Sequence, residues 1–296
     1  MRSFNYTVED EEVPDDVTHV TVDASVRVIG AAFSDNDNIV EVICDENVKK
    51  VERLAFFMCP SLRRVIMPGV EFVERCAFIE CRALTDVECG KLEIIERGAF
   101  KYCKSLRSID LPSAKIVEGN AFANCPALTD VKFGSKLDTI EVGAFVNCTS
   151  LERITIPLKD GLITHDSIFA LCENLKHVDL VEGELHETVA ALQLEEWRND
   201  MYEEIDSINQ ILPTVDAGGF GRDAGVFDEG VFDEGGKAQA IRTWIRSVIG
   251  KIIHYQAEHQ RLLDEEVATT LQLALPRDIV MNNVLPFLEL PSYTFE

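Results

Sequence analysis

Apolar residues recur at a nearly constant spacing along more than half of this chain. Each repeat carries an Ala-Phe pair, a cysteine three residues later, a leucine three residues further on, and then an alternating apolar pair. The pairs are Ala32-Phe33, Ala55-Phe56, Ala77-Phe78, Ala99-Phe100, Ala121-Phe122 and Ala144-Phe145, with Ile168-Phe169 as a degenerate seventh copy. Counted from Phe to Phe, the steps are 23, 22, 22, 22, 23 and 24 residues. A fixed period in this range predicts a solenoid of stacked coils.

Each coil is predicted to contain one main strand. The spacing L-x-x-V-x-L ends in strict alternation, which is typical of a short strand with one buried face. Val17, Val20 and Val22 supply a further strand before the first Ala-Phe pair, which gives about eight. A second, shorter extended segment is predicted five residues before each Phe, at Val28, Val51, Val73, Ile95, Val117 and Ile140. No coil can bury its own apolar edge, so stability must come from stacking on neighbouring coils.

A column of cysteines follows the phenylalanines. It comprises Cys59, Cys81, Cys103, Cys125, Cys148 and Cys172, with Asn36 in the first copy. Zinc sites use ligand pairs at short spacing, whereas these cysteines are 22 to 24 residues apart. The sequence therefore predicts a ladder of buried, reduced thiols, each packed as a small hydrophobe with a weak donor to the turn backbone.

The unit Ala-Phe-x-x-Cys-x-x-Leu-x-x-Ile-x-Leu-Pro at residues 99–112 resembles the BspA-like (surface-antigen type) leucine-rich repeat. The resemblance covers residues 17–182. It implies a right-handed, gently curved solenoid that is mainly β with short turns, and whose main sheet lines the concave face. It also implies binding rather than catalysis. We assign residues 17–185 to this solenoid and residues 1–16 to an acidic N-terminal segment.

The period stops after Leu180 and a helical pattern replaces it. We assign 187–296 to a helical region with helices at 187–212, 237–273 and 278–290, and with a Gly-rich acidic loop at 213–236. Apolar residues step by three and four along the first two helices, which is coiled-coil spacing. Two long helices joined by a loop favour an antiparallel hairpin. This hairpin either caps the last repeat or recruits a partner or a second copy of the chain.

The chain carries a net charge of −24, shared evenly between residues 1–185 and 186–296. An acidic surface repels phosphate backbones and anionic lipid, so we expect neither nucleic acid nor membrane as a partner. A basic protein segment fits the charge better. The N-terminus has no signal-peptide pattern and no run of about 18 apolar residues occurs, so a cytoplasmic or nuclear location is expected.

The outward positions of the predicted main strands form the candidate binding face. The residues that we expect to contact a protein partner are Glu41, Ile43, Arg64, Ile66, Asp86, Glu88, Asp110, Asp130, Lys132 and Arg153. The signs of these charges alternate in places, so a self-paired ladder that only keeps the face soluble is the alternative interpretation.

No constellation of residues predicts catalysis, a cofactor or a metal site. The G-x-G-x-x-A match at 219–224 follows a helix and not a strand, which fails the context of a dinucleotide site. His254 and His259 are five residues apart, so they do not share a helix face. We therefore predict a non-enzymatic scaffold that binds protein through its sheet face. The alternative is an adaptor subunit, for example of a ubiquitin ligase, that acts through the C-terminal helices; residues 275–288 faintly resemble the start of an F-box.

Overall fold

The computed structural model describes residues 2–9, 13–181, 188–192, 194–216 and 236–274. Its strands, in chain order, are β1 Ser3–Tyr6, β2 His19–Val22, β3 Val28–Ile29, β4 Glu41–Cys44, β5 Lys50–Val51, β6 Arg64–Ile66, β7 Phe72–Val73, β8 Asp86–Glu88, β9 Ile94–Ile95, β10 Ser108–Leu111, β11 Ile116–Val117, β12 Asp130–Phe133, β13 Thr139–Ile140, β14 Arg153–Ile156 and β15 His177–Leu180. Short 3-10 helices lie at Ala31–Phe33, Asp166–Phe169 and Leu212–Thr214. The longer α-helices are α1 Glu195–Ile211 and α2 Lys237–Ala274, and residues 188–190 are also helical. A parallel β-solenoid with C-terminal helices is therefore confirmed.

The longer strands form the main sheet, in which all pairings are parallel. It is hydrogen-bonded in two parts, β1-β2-β4-β6-β8 and β10-β12-β14-β15. Within each part, equivalent residues of successive coils lie in register; Glu41, for example, pairs with Arg64, which pairs with Asp86. The strand β1 was not predicted, because the segment before Val17 lacks the repeat pattern.

The shorter strands form a second parallel sheet in the order β3-β5-β7-β9-β11-β13. The short segment predicted at Val28 is confirmed as β3, and its buried residue is Ile29. Val51 pairs with Ile29 and not with Val28, and Ile29 is the fully buried residue of the two. The first coil has one residue fewer between this strand and its phenylalanine, so counting back five residues from Phe33 selects the outward neighbour.

Phenylalanine rings form the centre of the solenoid core. The seven phenylalanines of the repeats are all buried, and consecutive rings stack with centroids 4.9 to 5.7 Å apart. Each aromatic pair contributes about 0.5–1.5 kcal/mol beyond its buried area. Tyr6 on β1 extends the column, with its ring 4.9 Å from that of Phe33.

The thiol ladder is also confirmed. Each cysteine of the column is fully buried and its thiol donates to the carbonyl oxygen of the phenylalanine in the preceding coil, at 3.0 to 3.2 Å. Asn36 serves the first copy differently, since its side-chain oxygen accepts hydrogen bonds from the amides of Asn38 and Ile39.

The chain divides into two compact units, one of residues 1–181 and 206–245, the other of 182–205 and 246–296. In the first unit, polar side chains from the helical segments bond to the last coils. The Lys237 ammonium donates to the carbonyls of Glu173 and Leu175, at 3.2 and 2.5 Å, and the amide of Val178 donates to Asn209 Oδ1 at 2.9 Å. Arg242 bonds to the Ile163 carbonyl and to Asp166.

In the second unit, α1 and α2 contact each other in antiparallel order. Trp197 stacks on Tyr255 with ring centroids 5.2 Å apart, while Asp200 and Glu204 both pair with Lys251 at 2.9 and 3.0 Å. The helix predicted from about residue 187 is interrupted: residues 188–190 are helical, and α1 begins at Glu195. Glu195 and Glu196 occupy its first turn, where negative charge favours a helix N-terminus. The predicted third helix at 278–290 lies outside the described residues.

Candidate protein-binding face

The outward residues of the main sheet form two columns that run from coil to coil. The first column contains Glu41, Arg64, Asp86, Asp130 and Arg153, and the second contains Ile43, Ile66, Glu88, Asp110 and Lys132. All ten predicted contact residues are therefore on one surface, which we call the main-sheet face. Each is exposed or half-buried, because alternation along each strand sends its neighbours into the core.

An apolar pair occupies the N-terminal part of this face. Ile43 and Ile66 are direct neighbours on β4 and β6. Ile43 is 37% exposed, which places it among the few large hydrophobic side chains that the described part of the chain presents to solvent. Thr21 on β2 and Glu88 on β8 flank the pair along its column, so it forms a small apolar patch on an otherwise polar surface.

Arg64 is the centre of an ion-pair cluster beside this patch. Its guanidinium lies 2.7 Å from Glu88, 3.1 Å from Asp86 and 3.6 Å from Glu41. The hydrogen bond that the Arg64 guanidinium donates to the Glu88 carboxylate is the main cause that raises the pKa of Arg64. One cation is thus shared by three carboxylates, so the cluster keeps an excess of negative charge.

The hydrogen-bonded ladder of the main sheet is interrupted next to this cluster. The strands β8 and β10 are neighbours and are fully described, yet no backbone pairing joins them. Glu88 on β8 and Asp110 on β10 are equivalent positions, 22 residues apart, so two like charges follow one another in the second column. Like charges in opposed positions on adjacent strands are destabilising.

The C-terminal half of the face holds a second ion pair. Arg153 contacts Asp179 at 2.5 Å, and this hydrogen bond raises the pKa of Arg153. Asp179 was not among the predicted contact residues, although it follows the second column and could have been found by continuing the period. The alternative of a self-paired face therefore holds locally, around Arg64 and Arg153.

Chemistry at the cysteines is disfavoured by their environment. Burial raises the pKa of Cys44 and of Cys89 to about 12, and it raises the pKa of Cys103 as well. A buried neutral thiol is a poor nucleophile.

Within the described residues, no group of His, Cys, Asp and Glu side chains could hold a metal ion. His259 is buried and His254 is exposed, in line with their different helix faces, and the G-x-G-x-x-A match at 219–224 lies outside the described residues.

The repeats match the family model for the BspA-type leucine-rich repeat region, with six copies over residues 14–115 and 71–188. The chain belongs to the BspA-type leucine-rich repeat family. Membership suggests a scaffold for protein interaction or surface adhesion, and the repeat fold of this family is typically non-catalytic. Proteins of the BspA type are often associated with the cell surface. None of the described helices is long and apolar enough to cross a membrane.

Solved structures that are similar to this BspA-type chain are bacterial leucine-rich repeat proteins. One, from Bacteroides ovatus, has 19% identity and a TM-score of 0.42, and the match covers 60% of this chain and 54% of that one. The pneumococcal vaccine antigen PcpA has 16% identity and a TM-score of 0.40, with 62% and 56% covered. The leucine-rich repeat protein of T. pallidum has 18% identity and a TM-score of 0.37, with 65% and 88% covered. A search of curated proteins finds no match.

Proposed function

We propose that this chain is a non-catalytic scaffold that binds a protein partner through the main-sheet face. The observation that carries the proposal is the pair of exposed Ile43 and half-buried Ile66 beside the ordered charges around Arg64. An apolar centre with a polar, charged rim is the usual anatomy of a protein interface. The parallel sheet supports both parts on a rigid frame, because every coil is packed on its neighbours.

The test is a paired charge reversal on the face, Arg64→Glu with Asp86→Lys. Proteins captured by the tagged wild-type chain are compared with those captured by this variant. Loss of the captured partner supports the proposal, because the variant changes the face without changing the net charge. A variant that still captures every partner contradicts it.

A matched control uses the ion pair of Lys49 and Glu71, which lies 3.1 Å apart in turns that lead into the second sheet. The swap Lys49→Glu with Glu71→Lys also conserves net charge, and it leaves the main-sheet face unchanged. We expect this variant to capture the same proteins as wild type. Circular dichroism and thermal unfolding confirm that both variants are folded.

The adaptor function remains the second candidate, and the structure restricts where its surface would lie. The start of α2 is occupied, since Lys237 and Arg242 bond to the last coils. A recruiting surface on α2 would therefore use residues after Ile245. Deletion of residues 187–296 would remove these contacts as well, so point substitutions beyond Ile245 are the better test.

We also propose a reducing compartment, cytoplasm or nucleus, for this chain. All nine cysteines are free, and those of the ladder use the S–H proton as a hydrogen-bond donor, which a disulfide lacks. Lysis of the cells directly into denaturant that contains an excess of alkylating reagent, followed by intact-mass measurement, should show nine modified thiols. Disulfide-linked cysteines in the ladder would contradict this location.

A further inference from the structure

We propose that the partner segment is basic and apolar: it places a lysine or arginine between Glu88 and Asp110, and a hydrophobic side chain over Ile43 and Ile66. This inference rests on the proposed function, because it names the chemistry of the partner at the same face. It goes further by assigning two neighbouring subsites with different requirements.

The basic subsite follows from the charges at the interrupted ladder. Asp86 and Glu88 share the single guanidinium of Arg64, which approaches them from the side of β6. Asp110 faces them from β10, and no described lysine or arginine lies within ion-pair distance of its carboxylate. Of these three carboxylates, Asp86 and Glu88 are ion-paired to Arg64, whereas Asp110 has Lys132 as its in-register neighbour on β12 but no ion pair with it. A second cation from a partner would relieve the repulsion between Glu88 and Asp110.

The missing backbone pairing between β8 and β10 is a second observation that marks the surface around Glu88 and Asp110. Every other pair of neighbouring main strands in the described chain is joined by backbone pairing in register. At β8 and β10 that pairing is absent, although both strands keep their inward residues, Val87 and Ile109, in the core. Glu88 and Asp110 therefore lie at the one junction of the described main sheet that lacks backbone hydrogen bonds between its strands.

The apolar subsite lies directly beside the basic one in the same column. Ile66 is paired with Glu88, and Ile43 with Ile66. Since neighbouring strands are about 4.8 Å apart, the two subsites are separated by roughly 5–10 Å. Side chains one helical turn apart, or two residues apart in an extended segment, span such a distance. The net charge of −24 also favours a basic partner over a second copy of this chain.

The experiment selects random 12-residue peptides, displayed on phage, against the full chain. We expect the enriched peptides to contain lysine or arginine next to leucine, isoleucine, valine or phenylalanine. Their affinity is then measured for the variant Glu88→Lys with Asp110→Lys, and for the milder Glu88→Gln with Asp110→Asn. We expect about tenfold weaker binding for the first and about threefold for the second.

A control variant, Asp37→Lys with Glu46→Lys, makes the same change in net charge at exposed turn positions outside the strands. We expect binding to this variant to stay within about threefold of wild type, because distant exposed charges are screened by salt. Equal loss in both lysine variants would mean that basic peptides bind the acidic chain without a site, and would overturn the inference.

The remaining outcomes separate the inference from the proposed function. Enriched peptides that lack basic residues but lose binding to Arg64→Glu with Asp86→Lys would overturn the basic subsite and leave the binding face in place. Peptides that bind every face variant as tightly as wild type would contradict both the basic subsite and the proposed binding face. A selection without enrichment would contradict both as well.

Discussion

At the scale of single residues, each coil turns through backbone conformations that most side chains avoid. Positive φ occurs two residues after the repeated phenylalanine, at Asp35, Met58, Glu80, Tyr102, Asn124, Asn147 and Leu171. Asn adopts this left-handed region more readily than a residue such as Met or Leu. The repeats therefore contain local strain that the surrounding stack holds in place.

Met58 offers a test of this strain, because it has φ of 52° and its side chain is 45% exposed. We expect Met58→Asn, which copies the residue found at 124 and 147, to raise the free energy of unfolding by about 0.5–1 kcal/mol. Urea denaturation measures the change. Met58→Leu is the control and should change stability little, because Leu meets the same steric restriction. A destabilising Asn would show that packing at this site outweighs the backbone.

At the scale of the elements, neighbouring coils are tied together by a row of glutamates that sequence reasoning left unassigned. The carboxylates of Glu74, Glu96, Glu118 and Glu141 accept hydrogen bonds from backbone amides of the preceding coil, at 2.9 to 3.1 Å. The amides concerned belong to Arg53, Arg75, Arg97 and Gly119. This explains the constant Glu that follows the short strand in the repeat.

Substitution of Glu96 tests this tie in the middle of the stack. Glu96→Ala leaves the Arg75 amide without its partner, and we expect a loss of about 1–2 kcal/mol in the free energy of unfolding. Glu96→Gln keeps an acceptor oxygen and should recover at least half of that loss. If both variants lost the same amount, the charge and not the hydrogen bond would be responsible.

The last coils are tied to the helices by Lys237, which is buried and bonded to the carbonyls of Glu173 and Leu175. Desolvation lowers the pKa of this lysine. We expect Lys237→Met to fill the same space but to lose both hydrogen bonds, which weakens the cap of the last repeat by about 1–3 kcal/mol.

Hydrogen exchange locates this effect, because solenoid coils interact only with their neighbours. Amides of β15 should exchange faster in Lys237→Met, while those of β2 and β4 stay unchanged. Lys176→Met, at an exposed neighbouring position, should leave exchange in β15 as in wild type. Uniformly faster exchange along the whole solenoid would contradict a local capping function.

At the scale of the whole molecule, the buried thiols make stability depend on alkaline pH. The ordinary thiol pKa is 9.0, and burial raises the pKa of Cys44 and of Cys89 to about 12 in the folded state. Because the folded pKa is higher, the unfolded chain loses these protons first as pH rises. Stability is therefore unaffected well below pH 9 and decreases above it, up to the folded pKa.

We expect each such thiol to add about 1.4 kcal/mol per pH unit to the decrease, since one pKa unit corresponds to that free energy. Urea denaturation from pH 7 to 10.5 measures the slope. Cys89→Val removes one titrating group at a buried strand position and should reduce the slope by about that amount. An identical slope in this variant would show that tyrosines and lysines control the alkaline limit.

The repeat alone was enough to predict the solenoid, the thiol ladder and which residues lie on the main-sheet face. Each rests on a local pattern that recurs in every coil, so the same side chain reaches the same place each time. Among the apolar residues that step by three and four along the helices, Met201, Ile208, Ile241, Ile245 and Val248 are buried, because this spacing defines a helix face, whereas Leu194 at the start of the pattern is 42% exposed.

The tertiary structure decided whatever depends on contacts between different coils or between coils and helices. The pairing of Ile29 with Val51, the strand β1, the glutamate ties and the bonds of Lys237 all join residues that lie far apart in the sequence, and the repeat pattern does not show which atoms meet. The missing pairing between β8 and β10, at Glu88 and Asp110, likewise depends on contacts between coils. Periodicity determines which side chains face outward, but their hydrogen bonds and ion pairs depend on the particular neighbours that stacking brings within reach.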